Sequence, residues 1–145
     1  MPIVLTQEIK DMINGGLTTG NPMLLAVVAG DKPVLSFRGS TQVYSDSALG
    51  LWIRAGSGTT LEAIKANPNV ALMYRSATTP FLQFQGRARI AADEAERKTI
   101  FENAPEFEQS RDTARTGTAL VIDLEKVEGV LRFGANGPEF VKMER

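Results

Sequence analysis

Apolar positions along this chain fall mostly into short runs or strict alternation, the mark of strands, and only a few stretches show helical spacing. Leu5, Ile9, Met12 and Ile13 lie three or four residues apart around Thr6, which predicts an amphipathic helix capped by Thr6 and stopped at Gly15-Gly16. Met23 to Ala29 is an apolar run of strand length. Gly30-Asp31-Lys32-Pro33 reads as a four-residue turn, and Val34 to Phe37 completes a hairpin. Arg38-Gly39-Ser40-Thr41 interrupts or ends that second strand, and Gln42-Val43-Tyr44 resumes it before a turn at Ser45-Asp46-Ser47.

Leu49 to Arg54 is the third strand, and the stretch from Trp52 to Tyr74 organises what surrounds it. A strand runs into a Gly/Ser/Thr loop, then into a short helix with Leu61, Ile64 and Lys65 in phase, which Asn67-Pro68 ends before the strand Val70 to Tyr74. Phe81 to Ile90 alternates, with Leu82, Phe84, Ala88 and Ile90 on one face and Phe81, Gln83, Gln85, Arg87 and Arg89 on the other. Ala92 to Glu102 has strong helix propensity up to Pro105, and Glu106 to Thr116 reads as a short helix or loop carrying Arg111 and Arg115. Two strands, Ala119 to Leu124 and Val127 to Phe133, flank a turn at Glu125-Lys126, and Glu139 to Met143 is the last segment. Short, closely spaced antiparallel strands with helices as inserts predict an all-β barrel or an α+β domain. The connections are too short for a doubly wound parallel sheet, and the barrel fits better.

Composition narrows the chemistry. A chain of 145 residues with 43% hydrophobic and 23% charged residues matches one globular domain. No apolar run approaches the roughly 20 residues of a spanning helix, and the N-terminus lacks the features of a signal peptide, so no membrane role and a cytoplasmic location are expected. A net charge of −1 supplies no global field for nucleic acid, which is not expected as a partner. The chain has neither Cys nor His, which excludes disulfides, Cys/His zinc sites, thiolate nucleophiles, Ser-His-Asp triads and His-ligated haem. Any enzymatic chemistry falls to carboxylates, Arg, Tyr, Ser or a cofactor. No DxD-type cluster suggests a metal.

Arg38-Gly39-Ser40-Thr41, Arg54 and the hydroxyls of Ser57, Thr59 and Thr60 form the candidate site. A hairpin around Tyr44 to Asp46 would bring Arg38 and Arg54 together, and two guanidiniums beside a hydroxyl-rich helix N-terminus match a phosphate monoester. The alternative is two solvated strand-end arginines beside an ordinary connection. Gln83 and Gln85 could bond the polar edge of a planar heterocycle, or could simply line a wet sheet face. Trp52 reads as core or interface, while Tyr74 and Arg132 are minor candidates for substrate contact.

The order strand, Arg38-Gly39-Ser40, turn, strand, Gly/Ser/Thr loop, helix, Asn67-Pro68-Asn69-Val70, strand, then Gln83-Phe84-Gln85-Gly86-Arg87-Ala88 resembles the pyridoxamine 5′-phosphate oxidase-like family of flavin-binding split β-barrels. The likeness runs from about Met23 to Val130, and its sharpest pieces are Ile64 to Leu72 and Gly86-Arg87-Ala88. It implies a six-stranded antiparallel split β-barrel of Greek-key type, forming a homodimer with two FMN molecules at the subunit interface. Arg38, Ser57, Thr59 and Thr60 would hold the phosphate, with Gly39 and Ser40 beside them. Arg54 and Ala55 would border the ring, and Gln83 and Gln85 would reach it from the partner.

Thr59-Thr60 stands where family oxidases carry an Arg-Lys pair, and the C-terminal Arg-x-His that grips the vitamin phosphate is missing. The resemblance therefore implies an FMN-dependent oxidoreductase of a small organic substrate without implying the vitamin substrate. A deazaflavin coenzyme on the same fold, with Arg87, Arg89, Arg111 and Arg115 along its acidic tail, or a non-catalytic flavin binder, are the alternatives.

Overall fold

A computed structural model describes residues 2–145. Eight strands form one antiparallel sheet: β1 (Met23–Ala29), β2 (Lys32–Arg38), β3 (Gln42–Ser45), β4 (Ala48–Ile53), β5 (Asn69–Tyr74), β6 (Phe81–Ile90), β7 (Thr118–Gly134) and β8 (Gly137–Glu144). Their order is β2-β1-β5-β6-β7-β4-β3, with β8 attached to β7. The six-stranded barrel expected from the sequence is the path from β2 to β4. β3 extends its far edge and β8 forms a hairpin outside it.

Four helices fill the connections: α1 (Gln7–Asn14), α2 (Thr59–Ala66), α3 (Glu94–Asn103) and α4 (Glu106–Ser110). Thr6 caps α1 by accepting from the Ile9 amide at 3.3 Å, and Asp93 caps α3 by accepting from Ala95 at 2.9 Å.

Three local readings change. The β1–β2 turn is Gly30-Asp31 alone, with Gly30 at φ +69°, and Lys32-Pro33 belong to β2. Gln42–Ser45 does not resume β2; it pairs with β4 as a separate hairpin. Glu125-Lys126 is not a turn, because Thr118–Gly134 is one strand of 17 residues.

The register between β6 and β7 slips by one residue there, Gln85 facing Lys126 and Gly86 facing Leu124, so Glu125 is the extra residue of a β-bulge. A polar pair in an apolar run reads as a turn, yet the bulge serves the same need by swinging a charge outward without ending the ladder. It also marks a change of neighbour. Thr118–Asp123 bonds β4, while Lys126–Gly134 bonds β8.

β4 is buried on both faces, and this divides the core. Leu49, Leu51 and Ile53 point into the barrel with Leu25, Leu72, Phe84, Leu120 and Ile122, closed by Ile9 and Ile13 of α1 and Leu61 and Ile64 of α2. Ala48 and Trp52 point the other way into a second layer with Ile100 and Phe101 of α3, Ala119 and Val121. Trp52 meets Phe101 edge to face at 4.9 Å between centroids, and the Arg97 guanidinium lies 4.7 Å over its ring.

Candidate functional site

The end of β2 and the end of β4 meet through a side chain. Ser40 is buried; its hydroxyl donates to the Trp52 carbonyl at 2.8 Å and accepts from the Trp52 amide at 3.0 Å. That brace brings Arg38, the last residue of β2, alongside Arg54, the first residue after β4. The brace continues the β3–β4 hairpin register, in which Gln42 faces Gly50, so the hairpin expected around Tyr44 to Asp46 is what sets Arg38 opposite Arg54.

A cavity of about 310 Å³ opens at this junction, lined by Arg38, Gly39, Ser40, Arg54, Ala55, Ser57, Thr59, Thr60 and Glu108, among others. Its volume is at the small end for ligand pockets, the scale of a phosphate with a short polyol rather than of a whole tricyclic cofactor. Eight of the ten candidate residues line it. Gln83 and Gln85 lie elsewhere, adjacent on the outer face of β6, with Gln85 Nε2 donating to Gln83 Oε1 at 3.3 Å.

The donors converge. Arg38 Nη2 donates to Thr60 Oγ1 at 2.8 Å and its Nε to Ser36 Oγ at 3.0 Å, so the guanidinium is held across the first turn of α2. α2 itself starts without a side-chain cap: its N-cap is Gly58, at φ +124°, and the first amides have no side-chain acceptor. An uncapped helix N-terminus beside two cations suits an oxyanion. Burial, and then the field of Arg54, pull the Arg38 guanidinium below its ordinary value, opposed by Glu108. Arg38 is thus a charge held where water solvates it poorly, and an anionic ligand would relieve that cost.

Ser40 has a different place from the one its position suggests. With its only proton given to Trp52, it has no donor left for a phosphate. Within the cavity wall its hydroxyl is engaged in the strand-end brace.

Glu108 of α4 is the residue that sequence reading missed. Its side chain is only 10% exposed and Oε2 lies 3.7 Å from Arg54 Nε. Glu106 and Glu108 sit two residues apart in a polar stretch, and nothing in that pattern says which turns inward. Asp112 is the second omission. It is buried and accepts from Trp52 Nε1 (2.9 Å), Gly117 N (2.8 Å), Thr116 N (3.0 Å) and Thr116 Oγ1 (3.1 Å). Burial pushes its carboxyl upward, and these hydrogen bonds together outweigh it and leave the group below its ordinary value.

Tyr74 is buried in the barrel core, and Arg132 is bound to Glu8 and Glu139, so neither faces the cavity. Arg87 and Arg89 share a groove with Arg145, whereas Arg111 stacks on Phe107 at 4.7 Å and Arg115 on Phe101 at 4.4 Å. Those four arginines do not line one channel. Among the described residues no cluster of three or more carboxylates could hold a metal, and no helix is long and apolar enough to cross a membrane.

A family model described as Pyridoxamine 5′-phosphate oxidase matches residues 5–131. Among solved structures, HupZ of Group A Streptococcus aligns with a TM-score of 0.68 at 20% identity, over 85% of this chain and 91% of that one. General Stress Protein 26 of Bacillus anthracis aligns with a TM-score of 0.64 at 19% identity, over 94% and 100%. A NimC/NimA family protein of Clostridium acetobutylicum gives 0.65 at 14% identity, over 95% and 99%. At such identities the likeness establishes the fold. No curated protein sequence matches.

Proposed function

The chain belongs to the pyridoxamine 5′-phosphate oxidase family, and from that premise we propose that it is an FMN-dependent oxidoreductase whose Arg38–Arg54 cavity takes the cofactor phosphate. The observation that carries this reading is the convergence, in one cavity, of two guanidiniums with the uncapped amides that open α2. The residues present fit a phosphate: Arg38 and Arg54 offer charge-assisted bonds, Ser57, Thr59 and Thr60 offer hydroxyls, and backbone N–H groups complete the set. They also answer for the missing Arg-Lys pair, since Arg38 reaches Thr60 from the neighbouring strand.

Bound flavin would supply hydride or electron transfer to a small organic substrate. The protein's own work is to fix the phosphate end, and thereby the position of the ring, through Arg38 and the start of α2. The cavity would hold the phosphate end of such a cofactor, and Arg54 and Ala55 in its wall would border the ring. There the polar edge would meet Gln83 and Gln85 of a second copy, which is why a homodimer belongs to this proposal. No dedicated acid or base is needed, in keeping with a chain that has no His.

The test compares FMN with riboflavin, which lacks the phosphate, by quenching of flavin fluorescence on titration with protein. FMN should bind more tightly. Arg38→Gln should weaken FMN by about 10- to 100-fold, the loss of one charge-assisted contact, and leave riboflavin unchanged. Equal affinity of the unaltered protein for the two flavins would refute the phosphate assignment.

A further inference from the structure

The cavity that holds two cations also holds a fixed anion. Glu108 brings its carboxylate to 3.7 Å from Arg54 and contributes to the field at Arg38. This is not a loose surface side chain. On one flank Gln109 Nε2 donates to the carbonyls of Ala104 (2.8 Å) and Glu102 (3.1 Å), and on the other Asp112 is bound to Trp52 and Gly117. The turn after β2 is shaped to admit it: a Cβ added at Gly39 would lie 2.9 Å from Glu108 Oε1 and 2.9 Å from Leu17 Cδ1. Gly39 leaves room for the carboxylate, and α4 delivers it.

Two guanidiniums and one carboxylate give the cavity a net charge of one positive unit before any ligand enters. A phosphate monoester with both protons lost carries nearly two negative charges at neutral pH, and a phosphodiester carries one. Each negative charge on the ligand is repelled by Glu108 as it is attracted by the arginines. We propose that Glu108 is a charge-selecting residue of this cavity, lowering its affinity for a doubly charged phosphate monoester more than for a singly charged phosphodiester. The proposal rests on the phosphate reading of the cavity given above.

Three probes separate the effects: FMN, the singly charged methyl ester of FMN, and riboflavin, each titrated into the unaltered protein and Glu108→Gln by flavin fluorescence. Removing a like charge a few ångströms away in a partly shielded site is worth on the order of tenfold per ligand charge. Glu108→Gln should therefore tighten the ester about tenfold, FMN about a hundredfold, and riboflavin not at all. In the unaltered protein the second charge of FMN should add less than about tenfold over the ester. Thermal melts and the fluorescence of Trp52 check that the variant is folded, and Glu108→Ala should shift the affinities in the same direction.

If Glu108→Gln weakens FMN, or shifts all three probes alike, the carboxylate orients Arg54 or merely packs, and charge selection is overturned while the phosphate seat stands. A hundredfold advantage of FMN over its ester in the unaltered protein overturns it equally, without any variant. Should neither protein tell FMN from riboflavin, the phosphate seat itself fails and this inference falls with it.

Discussion

Ser40 and Arg38 are two residues apart and do different work. Arg38 faces the cavity, while Ser40 ties β2 to β4 with both functions of its hydroxyl spent on the Trp52 peptide. Ser40→Ala strands a buried N–H and C=O together, so it should cost about 1–3 kcal/mol of stability in urea unfolding, with FMN affinity nearly unchanged. A large loss of affinity in a stable Ser40→Ala protein would make Ser40 a ligand after all. The Arg-Gly-Ser-Thr run shows in the sequence as polar punctuation between strands. Which of its members turns inward depends on the strand end it meets, 12 residues later in the chain.

At the level of elements, β6 and α3 are joined by a three-residue polar clasp. Arg89 donates both Nη atoms to Glu96 at 3.0 and 3.1 Å, and the Tyr44 hydroxyl donates to the same carboxylate at 2.5 Å. The hydrogen bonds from Arg89 and then Tyr44 hold the Glu96 carboxyl down at about 2. Because this value is depressed on folding, its contribution is complete above the unfolded value near 4.5 and fades as pH falls toward about 2. Glu96→Gln should cost about 1 kcal/mol near neutral pH, a modest figure for a pair open to solvent, and the gap should narrow by more than half between about pH 5 and pH 3. A gap independent of pH would mean that Glu96 acts by packing alone.

The bulge in β7 makes a second demand on an element. A Cβ at Gly86 would lie 2.3 Å from the Asp123 carbonyl oxygen, a contact with backbone that cannot swing away. Gly86→Ala should lower stability by about 1–3 kcal/mol, the scale of forced overpacking, as read by thermal unfolding. The alternation of β6 is plain in the sequence, and so is the amphipathic face of α1. The bulge is not, since Glu125-Lys126 carries the composition of a turn and only the facing strand determines that the ladder continues.

For the whole molecule, the outer face of β2 poses a question that one chain cannot answer alone. Leu35 and Phe37 are 62% and 70% exposed, and Phe37 borders the anion cavity. Large apolar side chains on a sheet face next to a ligand site are what a subunit interface would cover. Phe37→Glu is expected to shift the protein from dimer to monomer in light scattering after size exclusion, and to weaken FMN and riboflavin together because the partner's face of the ring site goes with it. A variant that stays dimeric would place the interface elsewhere, and a protein that is monomeric before the change would refute the dimer.

By itself the sequence determined the class of fold and most of the cavity wall. Strand periodicity, the Gly/Ser/Thr loop opening α2 and the paired arginines are local patterns, and local patterns survive in a linear chain. Only the tertiary structure decided the sign and balance of charge within the cavity. Glu108 reaches Arg54 across 54 residues of sequence because α4 is pinned between the Gln109 and Asp112 anchors, and Ser40 is drawn away by Trp52. Coulomb forces and hydrogen bonds act on distance in space, which separation along the chain does not encode.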